Sequence, residues 1–324
     1  MKKTLEKKSS VSVLSGGVGG AKLVLGLSHL LEPDDFVVIA NTGDDFRHLG
    51  LKICPDIDTL IYTLANLVDE ERGWGLKNET WNFLKSLKRI GGEDWFNLGD
   101  SDLAIHIERT RRLAAGETLS VITKDLLTSV GVKYTVLPMT DSTVSTIVET
   151  LDGPLAFQHY FVRDRCLPSV RSFHFDGIEK ATPNPLIIKQ LKNNAYSSVL
   201  IAPSNPFVSI DPILSVPTLK KSLLSVKGPR VAVSPIIGGK AIKGPAAKMM
   251  TELGIPVTSL SIANHYKGFI DGIIIDEIDK DLSTEIEDTG AQVLVTNTVM
   301  NSLKDKISLA NECMKFIGSF GDQR

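Results

Sequence analysis

Four glycines, one lysine and four carboxylates stand close together near the start of the chain, in a pattern suited to phosphate chemistry. In 11–22, VSVLSGGVGGAK, the residues Gly16, Gly17, Gly19 and Gly20 clear Cβ atoms from a turn between an apolar run and a helical one. Backbone N–H groups there can approach a phosphate closely, and the following helix points its positive end at it. Lys22 adds a formal charge one turn further on. A dinucleotide fingerprint needs a third glycine where Lys22 stands. A P-loop needs Gly-Lys-Ser/Thr where Ala21-Lys22-Leu23 stands, so no hydroxyl is available for Mg²⁺. The turn is phosphate-like but of neither common kind. The alternative is a glycine-rich turn that only packs closely.

The carboxylates come in two pairs. Asp44 and Asp45 close 41–45, NTGDD, directly after the apolar run FVVIA, and Asp56 and Asp58 follow in PDIDT before the helical run LIYTLANLV. In open α/β sheets ligands bind beyond the carboxyl ends of strands. Four carboxylates facing a phosphate loop make sense with a cation among them, and Mg²⁺ usually takes one or two carboxylates plus substrate phosphates. The competing readings are an Asx turn at Asn41 and a helix N-cap for Asp56 or Asp58. Further on, Asp102, His106 and Arg109 are spaced i, i+4, i+7 and share one helix face, either as a surface ion-pair ladder or as an active-site wall. Trp95 and Phe96 offer planar surfaces for a ring or belong to the core. Asn205, in the proline-bounded 203–206 loop, is placed to read a base edge or simply to turn the chain. A second glycine-rich stretch, Gly238-Gly239, carries Lys240, Lys243 and Lys248 and reads as a turn feeding a helix; two such turns favour a substrate with two phosphates.

The elements that must hold these residues read as α/β. Runs at 36–40, 198–202, 230–234, 273–275 and 293–295 are short and apolar, like buried parallel strands, and 21–31 is helical; with the first strand this makes a β-α-β unit. Residues 60–130 are mostly helical, with amphipathic runs at 81–89 and 103–115. Residues 133–138, 145–150 and 155–162 alternate like strands, and a helix covers 301–317. The expected architecture is a doubly wound, mostly parallel Rossmann-like sheet. It forms one α/β domain over 11–324 with a helical insertion at about 60–130, after a solvated tail over 1–10.

Composition bounds the function. The chain has 324 residues, 42% hydrophobic and 23% charged, with a net charge of −2, which argues against general nucleic-acid binding. Cys54, Cys166 and Cys313 are scattered and odd in number, which suggests a reducing compartment, the cytoplasm. No signal peptide or apolar run of membrane-spanning length is present in the sequence given, so no membrane partner is expected. No G-x-S-x-G motif and no metal-type Cys/His cluster appears. Group transfer at phosphorus fits best, with N–H donors and lysines holding phosphate oxygens and carboxylates holding a cation or taking a proton.

The blocks GGVGGAK, NTGDD, PDIDT, DWFNLGDSD with His106, LPMTD, PSNP with SIDPIL, SPIIGG and KGPAAK resemble, in order and spacing, the 2-phospho-L-lactate transferase family of coenzyme F420 biosynthesis. The resemblance implies transfer of a phospholactyl-type group (lactyl, enolpyruvyl or phosphoglyceryl) from a guanosine diphosphate-linked donor. The acceptor is the ribityl hydroxyl of the deazaflavin Fo, GMP is released, Mg²⁺ is required and a homodimer is expected. By position, Asp45 and Asp58 become the metal and catalytic carboxylates. Gly17, Gly19, Lys22, Asn41, Ser204, Asn205, Gly238 and Lys243 become donor contacts. Asp58, Trp95, Ser101, Asp102 and His106 become acceptor contacts. The family pattern carries an arginine where Ser101 stands, and Arg109 is the substitute to test. The other reading is a nucleotide-sugar-binding regulatory protein of the same fold, which lacks PDIDT and DWFNLGDSD. An NAD-dependent oxidoreductase is disfavoured by the missing third glycine.

Overall fold

In a computed structural model, which describes residues 10–193 and 195–321, the apolar runs become strands. The chain starts with β1 (Val11–Ser15), α1 (Gly17–Ser28) and β2 (Phe36–Ala40), then a hairpin of β3 (Phe46–His48) and β4 (Leu51–Ile53). Helices α2 (Pro55–Leu64), α3 (Asn82–Arg89), α4 (Asp100–Ala114) and α5 (Leu119–Ser129) precede β5 (Thr135–Pro138). A small antiparallel sheet follows, of β6 (Ser145–Thr150), β7 (Gly153–Ala156) and β8 (Val170–Asp176). The second half holds α6 (Pro185–Lys192), β9 (Ser198–Ile201), α7 (Asp211–Ser215), α8 (Leu219–Leu224), β10 (Arg230–Val233), β11 (Ile236–Ile237) and β12 (Lys240–Ala241). It ends with α9 (Ala246–Glu252), α10 (Ser259–His265), β13 (Gly272–Ile275), α11 (Ser283–Glu287), β14 (Gln292–Val295) and α12 (Leu303–Ser319).

Seven strands form the central sheet in the order β14-β13-β10-β9-β1-β2-β5, and every pairing in it is parallel. Both faces are covered, which is why β1 and β2 are apolar and buried along their whole length rather than alternating. One face packs α1, α2 and α12; the other carries β9-to-β10 helices, α9, α10 and the small antiparallel sheet. Helix α1 crosses α12 so closely that a Cβ on Gly26 would run into the Lys306 carbonyl, so the glycine inside that helix is a contact residue. The chain winds outward from β1 through β2 to β5, then returns to β9 and winds the other way to β14. The order therefore reverses between β1 and β9, and a crevice opens there beyond the carboxyl ends.

Three local differences from the sequence reading have physical causes. The β3–β4 hairpin was not expected; its two-residue turn, Leu49-Gly50, has both φ angles positive (51° and 78°), and leucine there gives no turn signal. Residues 155–162 do not continue as a strand: β7 stops at Ala156 and His159–Arg163 forms a π-helix. Gly238-Gly239 does not feed a helix but forms the tight turn of the β11–β12 hairpin, both at positive φ. The expected tail lies outside the described residues except for Ser10, whose hydroxyl donates to the Ala195 carbonyl at 2.8 Å. No helix among the described residues is long and apolar enough to cross a membrane.

Candidate active site

The crevice is a cleft of about 620 Å³, within the ordinary range for a small-molecule site. The glycine turn forms its floor. Three of the turn's glycines have a neighbour in place of a side chain, Gly17 being the exception with its positive φ: a Cβ on Gly16 would fall 2.6 Å from Asp56 Oδ2, one on Gly19 would run into the Pro203 carbonyl oxygen, and one on Gly20 would meet the Ser15 hydroxyl. Ser204 ties the β9 loop to this turn, accepting from Gly16 N–H at 3.2 Å and donating to Gly16 O at 2.7 Å. Gly17, at φ +66°, donates its N–H to Asp56 Oδ1 at 2.7 Å. Val18 and Gly19, the next two residues of α1, line the cleft; their N–H groups have no acceptor within the helix.

Asp56 is thus no cap for its own helix. The N-cap of α2 is Cys54, Pro55 takes the first helical position, and Asp56 reaches across to the glycine turn. Asn41 holds it there. Its Nδ2 donates to Asp56 Oδ2 at 2.9 Å and to the Val208 carbonyl at 3.1 Å, while its Oδ1 accepts from Gly43 N–H at 2.8 Å. Asn41 is fully buried and does not line the cleft, so the structure makes it a positioner of Asp56 rather than a donor contact. Beside Asp56 lies Asp44, which does line the cleft and whose buried Oδ1 has no hydrogen-bond partner. Burial, then the charge of Asp56, pushes the Asp44 carboxyl well above its ordinary range. Asp56 itself is pushed up to about 6 by burial, against the hydrogen bonds from Asn41 and Gly17.

Asp45 points away from this pair. It meets Lys52 Nζ at 3.1 Å and Cys54 Sγ at 3.1 Å, and it does not line the cleft. Burial opposes the Lys52 charge, but Asp45 outweighs it and holds the ammonium above its usual range. Asp58 lines the cleft and accepts a two-pronged pair from Arg109, which is 0% exposed; the Nη1–Oδ2 arm is 3.1 Å. His106 sits between Asp58 and Asp102, with Nδ1 3.7 Å from one and Nε2 3.2 Å from the other. The i, i+4, i+7 face of α4 is therefore turned inward. Burial alone would raise the Asp102 carboxyl, but the hydrogen bond and charge of His106, then the Tyr62 hydroxyl, hold it below the ordinary range.

Other expected contacts sort as follows. Lys22 lines the cleft and donates to the Met300 carbonyl at 2.8 Å; burial, then Lys243 and Lys306, lower its pKa. Lys243 lines the cleft across from it. Gly238 does not: its N–H is held by Asp279 Oδ1 at 3.1 Å in the hairpin. Lys248 is paired with Glu252 on α9. Asn205 lines the cleft, but its Oδ1 already accepts from the Phe207 and Val208 N–H groups at 3.0 and 3.5 Å, which removes it as a two-sided reader of a base. Trp95 is packed against Phe46, His48, Phe96 and His159; Phe96 and Asn97 reach the cleft instead. Ser101 is exposed and outside the cleft, its N–H held by Glu79 at 2.8 Å. Arg109 is 0% exposed with both terminal nitrogens on Asp58, so it does not reach the place of Ser101.

Sequence reasoning passed over Arg72, Trp74, Phe157 and Phe161, which also line the cleft. The signal for the first two was a tryptophan between two glycines in a polar stretch, RGWG.

Comparisons with known proteins give the family and the fold. The family model described as 2-phospho-L-lactate transferase CofD matches residues 11–311. A 2-phospho-L-lactate transferase of Methanococcoides burtonii is 38% identical, covering 95% of this chain and 99% of its own. A phosphoenolpyruvate transferase of Streptomyces coelicolor is 37% identical, covering 94% and 97%. Among solved structures, protein BH3568 of Bacillus halodurans superposes with a TM-score of 0.62 at 15% identity, covering 95% of this chain and 99% of that one. That last likeness speaks to the fold alone.

Proposed function

The chain belongs to the 2-phospho-L-lactate transferase family and so to coenzyme F420 biosynthesis, and from that premise we propose the reaction it carries out. A guanosine diphosphate-linked donor lies over the glycine turn, and the ribityl hydroxyl of the deazaflavin Fo, giving up its proton, attacks the phosphorus of the phospholactyl-type group. The new P–O bond joins that phosphorus to the acceptor, the bridging P–O bond breaks, and GMP leaves with the bridging oxygen. The observation that carries this reading is the sharing of one cleft by the glycine turn, the Asp44–Asp56 pair and the Asp58–His106–Asp102 group. The turn and Lys22 and Lys243 suit the donor's phosphates. Asp58, Asp102, His106 and Phe96 suit a hydroxylated, planar acceptor.

The residues fit a divalent cation at Asp44 and Asp56. One buried oxygen of that pair has no partner, and burial raises both carboxyls, with the charge of Asp56 adding to it at Asp44. Among the described residues no group of three or more His, Cys, Asp and Glu side chains is arranged for a metal. Two carboxylates plus phosphate oxygens is the usual manner of holding Mg²⁺. When bound, Mg²⁺ supplies charge neutralisation on the donor phosphates. Relative to the expectation from sequence, the ligands move from Asp45 and Asp58, which Lys52 and Arg109 already neutralise, to Asp44 and Asp56. Asp58, held rigid by Arg109, orients the attacking hydroxyl. We further place the protein in the cytoplasm, as its three free thiols suit, and as a homodimer, which sedimentation would report as twice the chain mass.

The test is incubation with Fo, Mg²⁺ and, in separate reactions, the lactyl, enolpyruvyl and phosphoglyceryl donors, with products read by mass. A product of Fo plus one substituted phosphate, with GMP, is expected from at least one donor. No product from any of them, together with thermal stabilisation by UDP-sugars and none by GDP, overturns the proposal in favour of a nucleotide-sugar regulator.

A further inference from the structure

Residues 69–75 form a strap, of which Arg72, Gly73, Trp74 and Gly75 line the cleft. The isolated bridge between Val68 and Leu76 closes its base. Asp69 knits it from inside: its N–H donates to the Gly75 carbonyl at 3.0 Å, its carbonyl accepts from Gly73 N–H at 2.8 Å, and its carboxylate accepts from the N–H groups of Glu71 and Arg72. The strap is moored on both sides. Glu70 faces Lys306 at 3.7 Å in the first turn of α12, and the strap backbone lies against Lys243, whose Nζ a Cβ on Gly73 would strike. Gly73 and Gly75, at φ +74° and +73°, flank Trp74. Arg72 lies over the Trp81 ring at 4.9 Å. Trp74 itself lines the cleft and is 42% exposed, and among the described residues its indole has neither a ring partner nor a hydrogen bond. A large aromatic face held on a tight, moored loop and left uncovered in a binding cleft is suited to a planar ligand.

The surroundings decide which ring. The strap stands with the cations Arg72, Lys22 and Lys243, whereas the carboxylates Asp58 and Asp102 and the ring of Phe96 belong to the α2–α4 side. A nucleobase is tethered one ribose away from phosphates, so an aromatic face beside the phosphate-binding cations falls within its reach. We propose that Trp74 is the base platform of the donor site, its indole stacking on the purine of the nucleoside diphosphate. This rests on the donor reading given above and adds a specificity-determining residue to it.

The test uses the full chain and its Trp74→Ala and Trp74→Phe variants, with GDP and inorganic pyrophosphate as separate titrants in the presence of Mg²⁺. Stacking on an aromatic side chain is lost on alanine substitution, so Trp74→Ala weakens GDP by about tenfold or more, while Trp74→Phe stays within about threefold. Pyrophosphate affinity and the KM for Fo stay unchanged, and the far-UV spectrum and melting temperature confirm the fold. GDP changes the tryptophan emission of the wild type, and that change disappears in Trp74→Phe although Trp81 and Trp95 remain. Unchanged GDP affinity in Trp74→Ala, equal weakening of GDP and pyrophosphate, or a raised KM for Fo alone each overturns the assignment. A wild type that binds no GDP overturns the donor reading itself, and the base platform with it.

Discussion

Removing Arg109 tests whether the α4 face is a built wall of the site. The guanidinium is wholly buried and grips Asp58 by two arms; Asp58 is itself nearly buried, with His106 behind it. Arg109→Met keeps the volume and removes the charge, leaving Asp58 an uncompensated carboxylate away from water. Breaking a buried pair in this way costs about 3–5 kcal/mol. For a chain of this size a loss of 1 kcal/mol moves Tm by roughly 2 °C, so Tm should fall by about 6–10 °C. The double variant Asp58→Leu/Arg109→Met removes both charges at once. Replacing a buried pair by apolar residues of similar size is often near neutral, so the double variant should regain at least half of what the single one loses. Urea unfolding gives the free energies and differential scanning calorimetry the Tm. Activity is a separate readout: the double variant, though refolded, should be inactive because Asp58 is gone from the cleft. If Arg109→Met costs less than about 1 kcal/mol, the pair behaves as a solvated surface bridge. If the double variant is no more stable than the single one, the two groups are not coupled. Either result refutes the wall.

Three further predictions separate the roles of the neighbouring residues. Asp44→Asn and Asp56→Asn should each raise the Mg²⁺ concentration needed for half-maximal activity by tenfold or more, while Asp45→Asn should leave that midpoint in place and instead lower Tm by stranding Lys52; an unchanged midpoint in both of the first pair counts against the cation site. Gly19→Ala should be the most damaging of the turn substitutions, because its Cβ would meet the backbone carbonyl of Pro203, whereas Gly17→Ala meets no atom and should cost only about 1 kcal/mol for its positive φ; equal Tm losses would refute this ranking. Asp100 accepts from Thr80, the Phe83 N–H and Asn82 at the start of α3, which lowers its carboxyl to about 2. A depressed carboxyl stabilises the fold above its unfolded value and loses that effect as pH falls through the folded one. The Tm gap between wild type and Asp100→Asn should therefore be constant above about pH 5 and shrink from pH 4 toward pH 2; a gap that grows on acidification has the wrong sign.

The central sheet was legible because strands buried on both faces must be apolar throughout, and FVVIA or SVLIA followed by a polar turn leaves few alternatives. The α4 face was legible for the same kind of reason: i, i+4, i+7 spacing fixes a common face whatever the tertiary structure. It did not tell which way that face turned, and packing against β4 and α2 turned it inward. Asp44 against Asp45 was not legible at all. Adjacent residues in a turn point in different directions, and only the position of Lys52 on the hairpin strand shows that Asp45 is the one taken. That hairpin was itself hidden, since a leucine at positive φ carries no sequence mark. Gly238-Gly239 lay between two short runs and was a hairpin signal; the lysines around it drew the reading toward phosphate. Trp95 drew the attention in the sequence and Trp74 drew none, because the difference between a ring inside an aromatic cluster and a ring lining a cleft arises only from the fold.

The carboxylates near the glycine turn fall into two kinds, and the division explains why so much negative charge can face a phosphate site. Asp45 and Asp58 are each paired with a cation the chain itself provides, Lys52 and Arg109, although burial still raises the Asp45 carboxyl. Asp44 and Asp56 have no such cation, and Asp56 already occupies the Gly17 N–H that a phosphate would use. With no ligand, the helix end is satisfied by Asp56 and the pair holds its protons more tightly than ordinary carboxyls. A diphosphate arriving alone would meet two acids and a donor already taken. If a divalent cation arrived with the diphosphate, Asp44 and Asp56 would be the residues to hold it, and its charge would favour their ionised forms. On the proposed reading, donor and cation binding would be coupled through Asp56, and the glycine turn would depart from the P-loop pattern because the oxygens proposed to hold the metal come from the neighbouring strand and helix rather than from a hydroxyl after the lysine.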